Sequence, residues 1–175
     1  MQVKRLIIGF AALAIAVPAA AQLPMQRGTM EFGAFASAAR FDNALSLNNG
    51  YGGGGRIGMF IDRRVSAEFE DAEMRASRPN GLKDVNVGIL SGRLVYSDKR
   101  RGPFTLLIGA GAGVSTETNF LHSYGWDFLA GLKMPVTDYA SFRVDGVFDF
   151  LANNGFKTYQ TVRIGMSWYR HPTVK

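Results

Sequence analysis

The sequence predicts an all-β chain that closes into an eight-stranded antiparallel up-and-down transmembrane β-barrel. Three observations predict it. Eight segments read as strand, most with a period of two, and none holds a helical period over three turns. The apolar face of the best segments is bulky and nearly unbroken. The opposite face is rich in glycine and carries acidic and basic residues in near balance, which is unlike a water-washed surface.

The chain begins as an export signal. Lys4 and Arg5 form a short positive region, Leu6 to Val17 is apolar, and Ala19-Ala20-Ala21 is a small-residue cleavage site before Gln22. The apolar run is shorter than the roughly 20 residues a spanning helix needs. Residues 1–21 are therefore expected to be a cleaved signal peptide, and residues 22–175 the barrel domain. No cysteine is present, which excludes both a lipoprotein signal and a disulfide-stapled scaffold. About 150 mature residues suit one domain. The formal charge of +6 falls to +4 without Lys4 and Arg5, a dispersed surplus that does not point to nucleic acid.

The predicted strands run over 28–41, 50–62, 65–77, 85–98, 103–117, 125–136, 139–153 and 158–170. Each reaches the roughly 9–11 residues of a tilted membrane strand. Turn-forming residues separate them, including Asp42-Asn43, Asn48-Asn49-Gly50, Pro79-Asn80-Gly81 and Asn153-Asn154-Gly155. Asp62-Arg63-Arg64, Asp98 to Gly102 and Thr137-Asp138 are short and charged, whereas the connections after strands one, three and five are expected to be longer and the one after strand seven, near Asn154, is itself tight. That alternation suits outer-membrane barrels, and an even strand number puts both termini at the short-turn end. Tyr51-Gly-Gly-Gly-Gly55 lacks the Gly-Lys-Ser/Thr of a phosphate loop and is expected to mark a strongly curved strand entrance.

Polarity follows from the alternation. In the seventh strand Phe142, Val144, Gly146, Phe148 and Phe150 share one face, and Ser141, Arg143, Asp145, Val147 and Asp149 the other. The fifth strand places Phe104, Leu106, Ile108, Ala110, Ala112 and Val114 opposite Thr105, Leu107, Gly109, Gly111 and Gly113. Trp126, Phe128, Ala130, Leu132 and Met134 continue the apolar face, as do Val162, Ile164, Met166 and Trp168. On the other face stand Glu31, Glu68, Glu70, Asp127, Asp145 and Asp149 against Arg56, Arg93, Lys133, Arg143 and Arg163. Such balance is expected of a buried ion-pair network in a lumen, because a buried charge without a partner is very costly. Aromatics near strand ends are expected to form interfacial girdles: Phe41, Tyr51, Phe60, Tyr96, Phe104, Tyr124, Trp126, Tyr139, Tyr159, Trp168 and Tyr169.

Three stretches carry a resemblance. Arg56 to Glu70 resembles the second hairpin of OmpA-type small β-barrels, Pro103 to Gly113 their fifth strand, and Gly131 to Gly146 their sixth and seventh strands. The resemblance spans essentially the whole mature chain. It implies an eight-stranded barrel in the outer membrane of a Gram-negative bacterium; unlike in full-length OmpA proteins, no peptidoglycan-binding domain and no cell-wall tether are expected. One departure is the end of the chain, where Trp168 and Tyr169 are followed by Arg170-His-Pro-Thr-Val-Lys175 instead of a final aromatic.

No catalytic, cofactor or metal site is predicted. His122 and Ser123 are adjacent and expected in a loop. Their spacing differs from the motif of lipid A deacylase barrels, which resembles His-x-Ser, and successive strand residues face opposite sides. Glu68 and Glu70 share a face and are expected to receive Arg or Lys rather than to do acid–base work. His171 is expected to be solvated. The functional expectation is a non-enzymatic, monomeric outer-membrane protein with a structural or surface-interaction role and at most a narrow ion path. Its partners would be outer-membrane lipids, lipopolysaccharide and the barrel-assembly machinery, with Leu45, Leu47, Phe120, Leu121 and Phe156 as loop contacts. Two alternatives are an exported lipocalin-like barrel with Phe142 and Phe148 lining an apolar cavity, and a lipid A-modifying barrel enzyme.

Overall fold

The computed structural model describes residues 25–41, 47–78, 83–99, 104–117, 120–152 and 156–172. The expected signal segment and Leu45 lie outside them. Eight strands form: β1 (Met30–Phe41), β2 (Gly50–Phe60), β3 (Val65–Ala76), β4 (Val85–Lys99), β5 (Thr105–Glu117), β6 (Phe120–Thr137), β7 (Ala140–Ala152) and β8 (Phe156–Arg170). Each pairs antiparallel with the next, and β1 closes on β8. Closure leaves no sheet edge, so the ladder takes up the backbone polar groups of every strand.

The strands are staggered. Following paired residues from Phe41 leads through Tyr159, Asp149, Asp127, Gly111, Arg93, Glu68 and Gly58 back to Glu31, ten residues down the starting strand. A stagger of this kind tilts the strands, typically by about 35–45°, and leaves an interior that side chains can fill. The short connections 61–64 and 138–139 lie at one end, here the turn end, and 42–49 and 77–84 at the other, the loop end.

One expected connection, between β5 and β6, proves shorter than its sequence suggests. β6 starts at Phe120 rather than Gly125, because its pairing with β5 continues past a register shift between Ser115 and Glu117 to join Glu117 with Phe120. β8 begins at Phe156, two residues before the expected Thr158, in keeping with the tight connection near Asn154. In β6 loop-like composition yields to the ladder bonds a neighbouring strand offers. His122 and Ser123 therefore belong to β6, not to a loop. In the same strand Pro135, which cannot donate to a ladder, sits beside a second irregularity between Pro135 and Thr137.

The glycines of β2 allow a close approach to β3. A Cβ on Gly52 would overlap the Glu73 carbonyl oxygen, and one on Gly54 the Asp71 carbonyl oxygen. The barrel is inside-out by the standard of a soluble protein. Outward Ile108 is 56% exposed and Phe128 54%, while inward Arg143 is 1% and Glu31 0% exposed. Phe148 faces outward and is largely exposed. The lipocalin-like reading, which needs Phe142 and Phe148 inside, is thereby corrected: the interior offered to a ligand is charged.

Candidate functional site: a charged lumen closed at both ends

Eleven charged side chains are buried among the described residues: Glu31, Arg56, Glu68, Glu70, Arg93, Asp127, Lys133, Arg143, Asp145, Asp149 and Arg163. All lie on the inward phase of their strands. Arg143 is the hub. Its Nη1 and Nη2 donate to Glu68 Oε1 and Oε2 at 2.9 and 3.0 Å, a two-pronged pairing that fits the planar guanidinium. Its Nε donates to Asp145 at 2.8 Å, and Nη1 also reaches Glu31 at 3.3 Å. Lys133 holds the second oxygen of Glu31 at 2.8 Å.

A second centre forms around Glu70. Arg93 donates to both of its oxygens at 3.2 and 3.4 Å, Arg163 pairs with it, and Arg56 approaches to 3.7 Å. Arg56 also donates to Asp145 at 3.1 Å, which joins the two centres. Glu70 is thus a shared anchor for three guanidinium groups.

Register explains much of this. Arg56 stands opposite Glu70, Glu68 opposite Arg93, and Asp145 opposite Arg163. Opposite charges facing each other across a strand pair attract directly. Two pairs break that pattern: Lys133 faces Arg143, and Asp127 faces Asp149.

Small residues make room for the long ones. A Cβ on Gly33 would come within 3.1 Å of Arg56 Nη2, and one on Gly131 would overlap Asp145 Oδ1. Phe35, which the charge pattern did not single out, is buried between two guanidinium groups, with Arg56 5.7 Å and Arg163 5.2 Å from its ring centre. Its odd number in β1, shared with Glu31, was the available signal. Ser91 and Ser167 were missed for the same reason, since a lone serine carries little signal beyond strand parity, while Ser141 stands on the charged face expected of it. Ser91, Ser141 and Ser167 bond Arg93, Tyr169 and Arg56 respectively.

Apolar groups close both ends. At the loop end Phe41, Leu47, Met74, Val85, Leu151 and Tyr159 belong to one buried cluster. At the turn end Phe60 and Tyr169 pack with Met25, and Lys133 Nζ lies 5.6 and 5.2 Å from the two ring centres. A third group, Val95, Leu107, Leu129 and Val147, fills the wall formed by β4 to β7.

This corrects the girdle expectation for Phe41, Phe60, Tyr159 and Tyr169. They share strand phase with Glu31, Arg56 and Arg163, so they point inward and cap the lumen. Outward aromatics remain at both levels: Tyr96, Phe104, Tyr139 and Trp168 at the turn end, and Tyr51, Tyr124 and Trp126 at the loop end. Leu47 is likewise buried in the loop-end cap and not free for partners, while nothing is placed for the side chains of Phe120, Leu121, His122 and Phe156. His171 is half-buried, 3.2 Å from the Thr29 hydroxyl, so it ties the chain's two described ends together. No helix among the described residues is long and apolar enough to cross a membrane, which says nothing of crossing by strands.

No protein-family model and no curated protein matches the chain. Solved structures do. Neisserial surface protein A (NspA) superposes with a TM-score of 0.71 at 14% identity, over 81% of this chain and 98% of that one. The outer membrane protein OprG from Pseudomonas aeruginosa gives 0.59 at 14% identity over 86% and 100%. The N-terminal β-barrel domain of Pseudomonas aeruginosa OprF gives 0.57 at 15% identity over 82% and 100%. At these identities the likeness is one of fold: the chain has the closed eight-stranded barrel of small outer-membrane proteins.

Proposed function

We propose that this chain is a non-enzymatic integral protein of a Gram-negative outer membrane, which works through its outer surface and loops and not as a pore. The inverted polarity carries this reading. A belt of large apolar side chains faces outward while eleven charges are held inside, and water would reverse that arrangement. From Tyr124 to Met134 on β6 the belt rises about 25 Å, using roughly 3.3 Å per residue and a tilt near 40°, which matches the apolar band of such barrels. An origin within the OmpA-type barrels, export by the Met1–Ala21 signal and delivery by the barrel-assembly machinery belong to the same reading. Lipids and lipopolysaccharide are the first partners of the belt and its aromatic rims. The interlocked lumen leaves no more than a narrow ion path.

Two measurements test it. The protein is expected to stay with outer membranes after a carbonate wash and to run at different gel positions before and after boiling. In planar bilayers the folded protein is expected to give no sustained conductance. Release with the periplasmic fraction overturns the membrane reading, and steady open channels overturn the closed lumen.

A further inference from the structure

The lumen holds six carboxylates and five cationic groups among the described residues. One negative charge is left over in a space closed by apolar caps. The two like-charged strand pairs show where it resides. Lys133 and Arg143 face each other, but Glu31 stands between them and bonds both, at 2.8 and 3.3 Å. Asp127 and Asp149 face each other with no such intermediary. Inward side chains opposed across a strand pair have Cβ atoms about 4.5–5.5 Å apart, close enough for two carboxyl groups to meet.

One cation, Arg93, stands at ion-pair distance from the pair, and it is shared with Glu70. Asp127 is 2% and Asp149 5% exposed, and neither Asp127 oxygen nor Asp149 Oδ2 has a hydrogen-bond partner. From β4, Arg93 comes to 3.0 Å of Asp127 Oδ1 but is misaligned for a hydrogen bond, and its other nitrogens serve Glu70 and Ser91. From β8, the charge of Arg163 reaches Asp149, but Arg163 stands opposite Asp145 and pairs with Glu70 of β3, itself an added negative neighbour. Arg56 of β2 is turned to Asp145. Tyr159 of β8 and Ser115 of β5 line the same spot without a charge to offer. Both aspartates border a cavity of ≈ 10 Å³, room for about one water.

We propose that Asp127 and Asp149 share one proton in the folded barrel. One carboxyl is protonated and donates to the other's oxygen, as close carboxylate pairs do when both cannot ionise. The proton is taken from bulk water as the barrel closes. It brings the lumen to neutrality and turns a repulsive strand pair into a strong O–H···O⁻ bond. The cavity is too small for the oxygen shell a metal cation requires, and no group of three or more metal-ligating side chains exists among the described residues.

Infrared spectroscopy of the purified, folded protein tests this. The carbonyl stretch of a protonated carboxylic acid is expected at neutral pH, shifted by deuterium exchange. It is expected to vanish in Asp149→Asn and in Asp127→Asn, each of which leaves five carboxylates against five cations, and to persist in the outward-facing Glu73→Gln. A wild-type spectrum lacking the band overturns the proposal, as does a band that survives in both single variants. Stability that requires sodium or potassium and is lost in choline chloride, with no band, assigns the missing charge to a metal ion instead and also overturns it. Should one variant fail to show the folded gel position, the wild-type spectrum and the other variant decide.

Discussion

At the scale of the residue, Arg143 does most to hold the lumen together. Its three nitrogens donate to Glu68, Asp145 and Glu31, all essentially without solvent. Removing one member of a buried ion pair costs about 3–5 kcal/mol because the partners are left charged and dry. Arg143→Ala is expected to lose at least that much in urea unfolding of the lipid-embedded barrel, and Arg143→Lys to lose less, since an ammonium cannot fork onto Glu68. An unchanged midpoint for Arg143→Ala would remove the hub role. Gly131 is the complementary case, a residue defined by what it lacks. Gly131→Ala pushes a methyl group into Asp145 and the Val144 carbonyl, and overpacking of this kind costs about 1–3 kcal/mol. The same assay reads it, with the outward Gly146, whose Cβ would meet nothing nearer than 3.7 Å, as the tolerant control.

At the scale of the element, each strand carries two environments one residue apart, and the parity of a position decides its cost. Ile108 faces outward on β5 and pairs with Ala130, near the middle of the Tyr124–Met134 belt. Ile108→Arg is expected to destabilise the barrel by about 2–4 kcal/mol in lipid vesicles, the cost of a cation near the bilayer midplane. The same change should be milder in short-chain detergent micelles, where the guanidinium reaches water more easily. An equal effect in both media would argue against a lipid-facing β5. Parity was readable in the sequence for every strand, and it places all eleven charges inward. Strand ends were less readable. β8 begins at Phe156, two residues before the expected Thr158, and β6 begins five residues before the expected Gly125. Ladder bonds offered by the neighbouring strand outweigh local composition in β6. Aromatics near strand ends misled for a related reason: proximity to an end does not say which side of the sheet a ring occupies, and four of eleven face inward.

At the scale of the whole molecule, the lumen is sealed in three layers: an aromatic and aliphatic cap at the loop end, the ionic layer, and the pair Phe60 and Tyr169 at the turn end. The layers are redundant as a seal. Phe60→Ala combined with Tyr169→Ala is expected to leave the barrel non-conducting in planar bilayers, because the network above the lost cap still fills the section. Sustained conductance in that double variant would show that the cap, not the ion pairs, closes the lumen.

What the sequence determined by itself was strand number, strand polarity and the membership of the charged face, since each depends only on local alternation and the spacing of turn residues. The tertiary structure decided who pairs with whom. Glu31 and Lys133 are 102 residues apart and Glu68 and Arg143 75, and only the ten-residue stagger of the closed sheet brings them to one depth. It also decided which like-charged pair has no counter-ion bonded to both members. A list of charges shows near balance, but the register sets Asp127 against Asp149, and long-range register is a property of closure that no local stretch of chain encodes.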